Sequence, residues 1–463
     1  MSQHLDTFRR KMEQAGQSQA AIAQFLRGLQ LVDEGCDTSI PESAIEPAHD
    51  LPHVAGLDVE PDPSLLAQSV VIKLNGGLGT GMGLAGPKSL LEVREGQTFL
   101  SLIVRQLELQ EQLLGAKGRL LLMNSFSTSE HTMNYLASIP GGERAEEMLQ
   151  SMVPKRLVDT GLPAEWEADR SLEWCPPGHG DLYATLVGSG KLRELLDAGV
   201  RYAFVSNSDN LGATLDPAML TYFARSGAPM MMEVTRRSAA DRKGGHLAVR
   251  RSDGRLILRE SAQCPEADAD AFQDIERHQY FNTNNLWLRL DVLDQVMESH
   301  GGLLPLPVMT NRKSVDPRDG DSPAVIQLET AMGAAIECFD SASAIVVGRD
   351  RFAPVKTTND LLGLRSDAYR IDPDGAVRLH PSRGGQPPVI DLDPKWFKLV
   401  DAFAERFPGP VPSLIECHSL KVNGNLRFAA EVSIQGDVTL TAAANDGITD
   451  VPAANYHDCD RVI

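Results

Sequence analysis

Residues 76–88 bring six glycines, Gly76, Gly77, Gly79, Gly81, Gly83 and Gly86, within reach of one lysine, Lys88. The surrounding stretch, VVIKLNGGLGTGMGLAGPKS over residues 70–89, opens on an apolar run, Val70-Val71-Ile72, of buried-strand type. Glycine admits positive φ and lets a ligand approach the main chain closely. Backbone N–H groups turned toward one point cradle an anion, and Lys88 adds a full positive charge beside them. The chemistry implied is the binding of nucleotide phosphates.

Two familiar phosphate motifs nearly fit and fail. Gly81-Met82-Gly83-Leu84-Ala85-Gly86 matches GxGxxG, but that fingerprint opens a helix, and here Pro87 and the strand-like Leu90-Leu91-Glu92-Val93 follow. This argues against an NAD-dependent dehydrogenase. Pro87 also separates Gly86 from Lys88-Ser89, which spoils the GxxxxGK[ST] loop of NTPases. A plain flexible linker would not sit between a buried strand and a fixed lysine.

Other polar clusters stand beside apolar runs. Asp209, in VSNSDN, follows such a run and suits Mg²⁺, which takes one or two carboxylates plus phosphate oxygens and water; it equally suits a turn cap. His179 lies in Pro176-Pro177-Gly178-His179-Gly180-Asp181, a turn whose glycines admit a substrate, although a lone histidine is commonly structural. Asn282, Asn284 and Asn285, with Thr283, offer uncharged donors and acceptors suited to sugar hydroxyls, or merely form a turn. Lys356 follows Arg349 and Arg351 after another apolar run; it is either a second phosphate-neutralising group or a solvated surface lysine.

The elements that must hold these groups are legible in outline. Residues 1–33 carry helical spacing at Phe8, Met12, Ile22, Phe25, Leu26 and Leu29, and Phe99 to Leu114 forms a further apolar helical face. Strand-like runs recur at 120–123, 202–205, 230–234 and 344–347, with helical segments at 191–198 and 217–224 between them. Strands alternating with helices predict a largely parallel sheet covered on both faces, with ligands beyond the carboxyl ends of the strands. From about residue 375 the texture changes, and 420–440 alternates with period two around Gly-Asn and Gly-Asp turns, as in stacked β coils.

The 463 residues exceed one ordinary core. The formal charge is −19, from 44 basic and 63 acidic residues, which opposes broad binding to nucleic acid or anionic membrane. Six scattered cysteines without a CxxC pair suggest reduced thiols. The N-terminus lacks a signal-peptide core, and no apolar run has the length of a membrane span. A cytoplasmic protein is expected.

Taken together, KLNGGLGTGMGLAGPKS, LMNSFST, PPGHGDLYA, FVSNSDNLGAT, MEVTRR, KGG, FNTNNLWL, VIQLETAMGAA and PVKTTNDLL resemble, in this order, the eukaryotic-type UTP–glucose-1-phosphate uridylyltransferases. The resemblance runs from about residue 65 to the C-terminus. It implies an α/β fold with a Rossmann-like (GT-A-like) nucleotidyltransferase core, a small helical N-terminal part and a C-terminal left-handed β-helix-like domain, divided as 1–64, 65–372 and 373–463. It implies that Leu74, Asn75, Gly76, Gly77, Gln150, Gly178 and Asn207 bind the uridine nucleotide, with Gln150 reading the base. Lys88 and Lys356 would serve catalysis, His179, Asn282, Thr283 and Asn284 would bind the sugar phosphate, and Asp209 would hold Mg²⁺. The chain departs from the family at Ser208, where an aliphatic residue is usual, and in its short C-terminal domain, which bears on any homo-oligomer.

The implied reaction is Mg²⁺-dependent and reversible: UTP and glucose 1-phosphate give UDP-glucose and pyrophosphate. Two alternatives stand beside it. One is a related UDP-sugar or UDP-N-acetylhexosamine pyrophosphorylase, since sugar pockets differ by few residues. The other is a non-catalytic UDP-sugar-binding sensor, which would not need Lys88, Asp209 and Lys356 together.

Overall fold

A computed structural model describes residues 3–94, 96–238, 241–443 and 447–463. Helices α1 (Gln3–Gln14) and α2 (Gln19–Asp33) form as their apolar spacing requires, and the Ser18 side chain caps α2 by accepting from the Ala21 N–H. Phe8, Met12, Ile22, Phe25, Leu26 and Leu29 are buried against Val153, Cys175, Val308 and Leu328. At about 2 kcal/mol per buried side chain this face anchors the N-terminal helices to the body.

Among the described residues the central sheet has ten strands. They are β1 (Ile45–Pro47), β2 (Ser69–Asn75), β3 (Leu120–Asn124), β4 (Ala145–Leu149), β5 (Tyr202–Asn207), β6 (Met230–Arg236), β7 (His246–Arg250), β8 (Leu256–Arg259), β9 (Tyr280–Arg289) and β10 (Ser343–Val346). Its main path runs β10-β6-β9-β5-β2-β3-β4, and β7 carries β1 and β8 at one end of β9. The pairs β5–β2, β2–β3, β3–β4 and β6–β10 are parallel. Strand β9 is antiparallel to both β5 and β6.

The sheet is therefore mixed, which corrects the expectation of a largely parallel one. A strand buried on both faces reads as a continuous apolar run in either direction, so Leu286-Trp287-Leu288 carries no sign of its orientation. The reversal matters for the site. The carboxyl ends of β2, β3, β5, β6 and β10 share one edge of the sheet, and the amino-terminal half of β9 lies at that same edge. That is why Asn282–Asn284 reach it although they precede their apolar run. They do not form a turn either: they lie within β9, at a register shift opposite Glu233 and Val234, with Asn284 at φ 58°. This is a β-bulge, which re-aims side chains locally.

Helix α3 (Phe99–Leu114) covers one face, entered through a capping box of Thr98 and Ser101 and left through Gly115 in the left-handed conformation. On that face a continuous hydrophobic cluster runs from Val71, Ile103 and Phe204 through Leu361 and Leu362 to Leu414, Val438 and Tyr456 near the C-terminus. The C-terminal residues form a parallel sheet of β11 (Val389–Leu392), β12 (Ser413–Asn423), β13 (Ser433–Thr441) and β14 (Asn455–Val462). A shorter parallel pair joins Leu426–Phe428 to Thr449–Val451. No helix among the described residues is long and apolar enough to cross a membrane, and all six cysteines are unpaired.

Candidate active site

The glycine loop leaves β2 at Asn75 and returns at Lys88, whose N–H donates to the Gly77 carbonyl at 3.1 Å. Gly76 leaves room for the Gln150 side chain: a Cβ there would lie 2.8 Å from Gln150 Oε1 and would displace that amide, whereas nothing lies within 4 Å of the same position on Gly77. Gln150 follows β4 and donates from Nε2 to the Gly178 carbonyl at 2.9 Å. Gly178, at φ +83°, presses against the backbone of Thr330: its Cβ would meet the Thr330 carbonyl oxygen at 2.5 Å. So Gly76, Gln150 and Gly178 form one wall, with Gly77 facing open space.

Leu74 and Asn75 contribute to this wall through their backbone. The Leu74 side chain joins the apolar core, and Asn75 Nδ2 donates inward to Asn124 Oδ1 (2.8 Å) and Thr132 Oγ1 (3.0 Å). Ser125 and Thr128 buttress the loop from below, donating to the carbonyls of Gly76 and Asn75.

Asp209 lies just past β5, where Asn207 is in register with Leu74 of β2. Its Oδ2 accepts from Lys88 Nζ at 2.7 Å, and its Oδ1 is buried with no hydrogen-bond partner. The following segment is pinned by its carbonyls. Gln106 of α3 donates to Leu211, Lys73 to Ala213, Arg351 to Thr214 and Gln110 to Leu215. Ser208 is buried and donates its N–H to the Leu74 carbonyl at 3.1 Å, so it holds Asp209 on the sheet. The Val355 N–H reaches the Asp209 carbonyl at 3.3 Å, which brings the exposed Lys356 to the same strand ends.

At the bulge, Asn282 Nδ2 donates to Asn284 Oδ1, and the Asn284 N–H donates to Asn282 Oδ1, both at 2.9 Å. Thr283 turns away: its hydroxyl donates to the Glu233 carbonyl at 2.7 Å and is buried. Two asparagines thus remain at the site edge, while Thr283 fixes their strand. Residues 330–333 connect this edge to the histidine turn. The Gly180 N–H donates to the Thr330 carbonyl, the Met332 N–H donates to His179 Nδ1 at 3.0 Å, and Gly333 has only 2.9 Å between its would-be Cβ and Asn282 Nδ2.

Because His179 Nδ1 accepts, its proton sits on Nε2, a neutral donor; burial pushes its pKa down to about 4. Two residues on, burial pushes the Asp181 carboxyl up to about 6, against hydrogen bonds from Thr185 and Ser151 that lower it. The linkage signs oppose each other. Between about pH 4 and 6.5 folded His179 holds fewer protons than the unfolded chain, so its contribution falls as pH falls. Between about pH 3.8 and 6 folded Asp181 holds more, so its contribution falls as pH rises. The His179→Gln variant should therefore lose less stability than the parent on going from pH 7 to pH 5, by about 2 kcal/mol. Urea midpoints at the two pH values check this, and equal losses in both proteins would refute the neutral histidine.

Sequence reading overlooked one buried network. Glu233 of β6 is fully buried; its Oε1 accepts from Trp287 Nε1 (2.9 Å) and Arg351 Nη2 (2.7 Å), and its Oε2 from Asn285 Nδ2 and Arg351 Nε (both 2.9 Å). Asn210 donates to the Arg351 carbonyl and accepts from the Ala353 N–H. One carboxylate thus ties the Asp209 turn, the asparagine bulge and the segment leading to Lys356. The available signal was a carboxylate inside the apolar run Met230–Val234, as Lys73 was inside Val70–Leu74. Lys73 is buried, with its pKa lowered to about 7 chiefly by burial, and bonds Ser206 Oγ and the Ala213 carbonyl.

A cleft of about 1170 Å³ is lined by Lys356, Arg236, Arg349 and the 385–390 segment, but by none of Lys88, Asp209, His179 or Gln150. The converging chemistry, rather than cleft size, therefore locates the site. Among the described residues no three His, Cys, Asp or Glu side chains cluster as a metal cage. The unpartnered Asp209 Oδ1 nevertheless fits a cation that takes one carboxylate and completes its shell with phosphate oxygens and water.

A family model described as UTP–glucose-1-phosphate uridylyltransferase matches residues 24–435. The uridylyltransferase of that name from Saccharomyces cerevisiae is 42% identical over 391 residues, 84% of this chain and 77% of the yeast protein. That of Hordeum vulgare is also 42% identical, over 84% of this chain and 80% of its own length. Among solved structures, a mutant UDP-glucose pyrophosphorylase from Leishmania major in complex with UDP-glucose superposes with a TM-score of 0.94 at 45% identity, covering 100% of both chains. A Trypanosoma brucei structure, of a protein called UDP-glucose phosphorylase, gives 0.91 at 46% identity, again over 100% of both chains.

Proposed function

This chain belongs to the UTP–glucose-1-phosphate uridylyltransferase family, and from that premise we propose how its own residues carry out the transfer. The enzyme is a nucleotidyltransferase that makes UDP-glucose from UTP. In our reading a phosphate oxygen of glucose 1-phosphate attacks the α-phosphorus of UTP in line. A new P–O bond forms as the bond to the β-phosphate oxygen breaks, and pyrophosphate leaves with that electron pair. The attacking phosphate is already ionised at neutral pH, so no general base is needed. The work left to the protein is alignment and neutralisation of charge.

Lys88 and Lys356 supply fixed positive charge, and the amides of the glycine loop and the neutral Nε2–H of His179 supply donors. Gln150, between Gly76 and Gly178, reads the uracil, and Asn207 contacts the nucleotide at the end of β5. Asn282 and Asn284 orient sugar hydroxyls, and Thr283 serves them by fixing the strand. Asp209 would hold Mg²⁺, which when bound supplies further neutralisation of phosphate charge. The observation that carries the reading is the 2.7 Å pair of Lys88 and Asp209 beneath the glycine loop, with the second carboxylate oxygen unpartnered.

The test is pyrophosphate release from UTP with glucose 1-phosphate, galactose 1-phosphate and N-acetylglucosamine 1-phosphate, at graded Mg²⁺. Release dominated by glucose 1-phosphate is expected, and Asp209→Asn should raise the Mg²⁺ concentration for half-maximal rate at least tenfold. Preference for another sugar would keep the mechanism and reassign the acceptor. Binding of UDP-glucose with no release from any sugar would point to a sensor.

We also propose the division 1–64, 65–372 and 373–463, with the stacked C-terminal strands as coils of a left-handed β-helix behind a GT-A-like core. A cytosolic location suits six unpaired thiols.

A further inference from the structure

The segment carrying Gln150 lies between strands: β4 ends at Leu149 and the next strand begins at Val153. Its three successive amides are each held by a different part of the fold. The Gln150 N–H donates to the Asn124 carbonyl at 2.7 Å, the Ser151 N–H to Asp181 Oδ2 at 2.7 Å, and the Met152 N–H to Gln17 Oε1 at 3.0 Å. Asp181 is only 3% exposed, and Thr185 Oγ1 donates to the same Oδ2 at 2.7 Å. Both donors are neutral, and no ion pair joins Asp181 to a cation among the described residues. A carboxylate buried without a cation is costly and is not needed for packing alone. It stands at the end of the His179 turn, whose other end, the Gly178 carbonyl, accepts from the Gln150 side chain. The turn therefore grips the Gln150 segment twice, once at the side chain and once at the following amide.

We propose that Asp181 is a positioning residue for base recognition, holding Gln150 in register with Gly76 so that uracil is distinguished from other pyrimidines. This rests on the assignment of Gln150 to the base. Asp181 itself touches neither substrate nor reacting atoms. Its effect appears in nucleotide affinity and selectivity and not in the chemical step.

The experiment is steady-state kinetics of the full Mg²⁺-supplied enzyme with UTP and with CTP, on the parent and on Asp181→Ala, Asp181→Asn, Thr185→Ala and Gln150→Ala. Losing one buried hydrogen bond is worth about tenfold. Asp181→Ala is expected to raise the KM for UTP about tenfold and to lower the UTP-to-CTP ratio of kcat/KM by a similar factor, with kcat within about threefold of the parent. Asp181→Asn keeps an acceptor oxygen at the same reach and should restore both values. Thr185→Ala leaves the carboxylate but frees its rotation, and should show the same pattern at smaller size. A loss confined to kcat with an unchanged UTP-to-CTP ratio in Asp181→Ala overturns the proposal. If that variant does not fold, an unchanged ratio in Thr185→Ala does so instead. Gln150→Ala separates the two levels. An altered ratio there beside an unaltered one in Asp181→Ala defeats the positioning role alone, whereas an unaltered ratio in Gln150→Ala defeats the base assignment and the proposal with it.

Discussion

Replacing Lys356 by alanine is expected to lower turnover by about three orders of magnitude while leaving the fold intact. The residue is exposed, and among the described residues the hydrogen bond it makes is from its own N–H to Asp360 Oδ2 at 2.8 Å, so folding stability is not expected to depend on the ammonium. Catalysis does. In-line displacement between two polyanions is limited by charge, and a cation positioned on transferring phosphates contributes about 10³-fold or more. Lys88 is not expected to substitute, because its ammonium is already paired with Asp209. Single-turnover rates with enzyme in excess, beside a thermal melt, make the check. Turnover within tenfold of the parent would return Lys356 to the class of solvated surface lysines. Lys356→Arg should keep part of the rate, since charge is retained but the compact ammonium is not.

The second large effect concerns stability. Glu233→Ala should cost about 3–5 kcal/mol, because it leaves Arg351 buried at 5% exposure without its carboxylate and leaves the Trp287 and Asn285 donors unpaired. Urea unfolding of the two proteins gives the number directly. The pair Glu233→Leu with Arg351→Met should recover part of the loss, since removing both charges spares the uncompensated one. A cost below about 1 kcal/mol for the single change would mean that water reaches Arg351 and that the network is not dry. Because the same carboxylate ties the Asp209 turn to the Lys356 segment, residual folded protein should also turn over more slowly.

Local chemistry made much of this protein legible from its residues. The helix over Phe99–Leu114 and the strands near 70, 120, 202, 230 and 344 follow from apolar spacing, which is a property of neighbouring residues. The glycine loop and Lys88 are readable as a candidate phosphate site because glycine density and charge are likewise local. Gly178 and His179, chosen from one short turn, do meet the Gln150 segment and the strand ends.

Tertiary structure alone decided which face each polar residue presents. Asn75 and Thr283 belong to suitable motifs, yet their side chains are spent on the core, because alternation along a strand sends neighbours to opposite sides. The antiparallel course of β9 is set by which strands it meets, since apolar content is the same read forward or backward. The pairing of Glu233 with Arg351, 118 residues apart, and the joining of Thr330 to Gly180 and Met332 to His179 depend on long-range closure of the fold. No periodicity or spacing within a segment records such a contact. The sequence by itself determined which residues could do the chemistry; their mutual distances arose only when the sheet brought its strand ends to one edge.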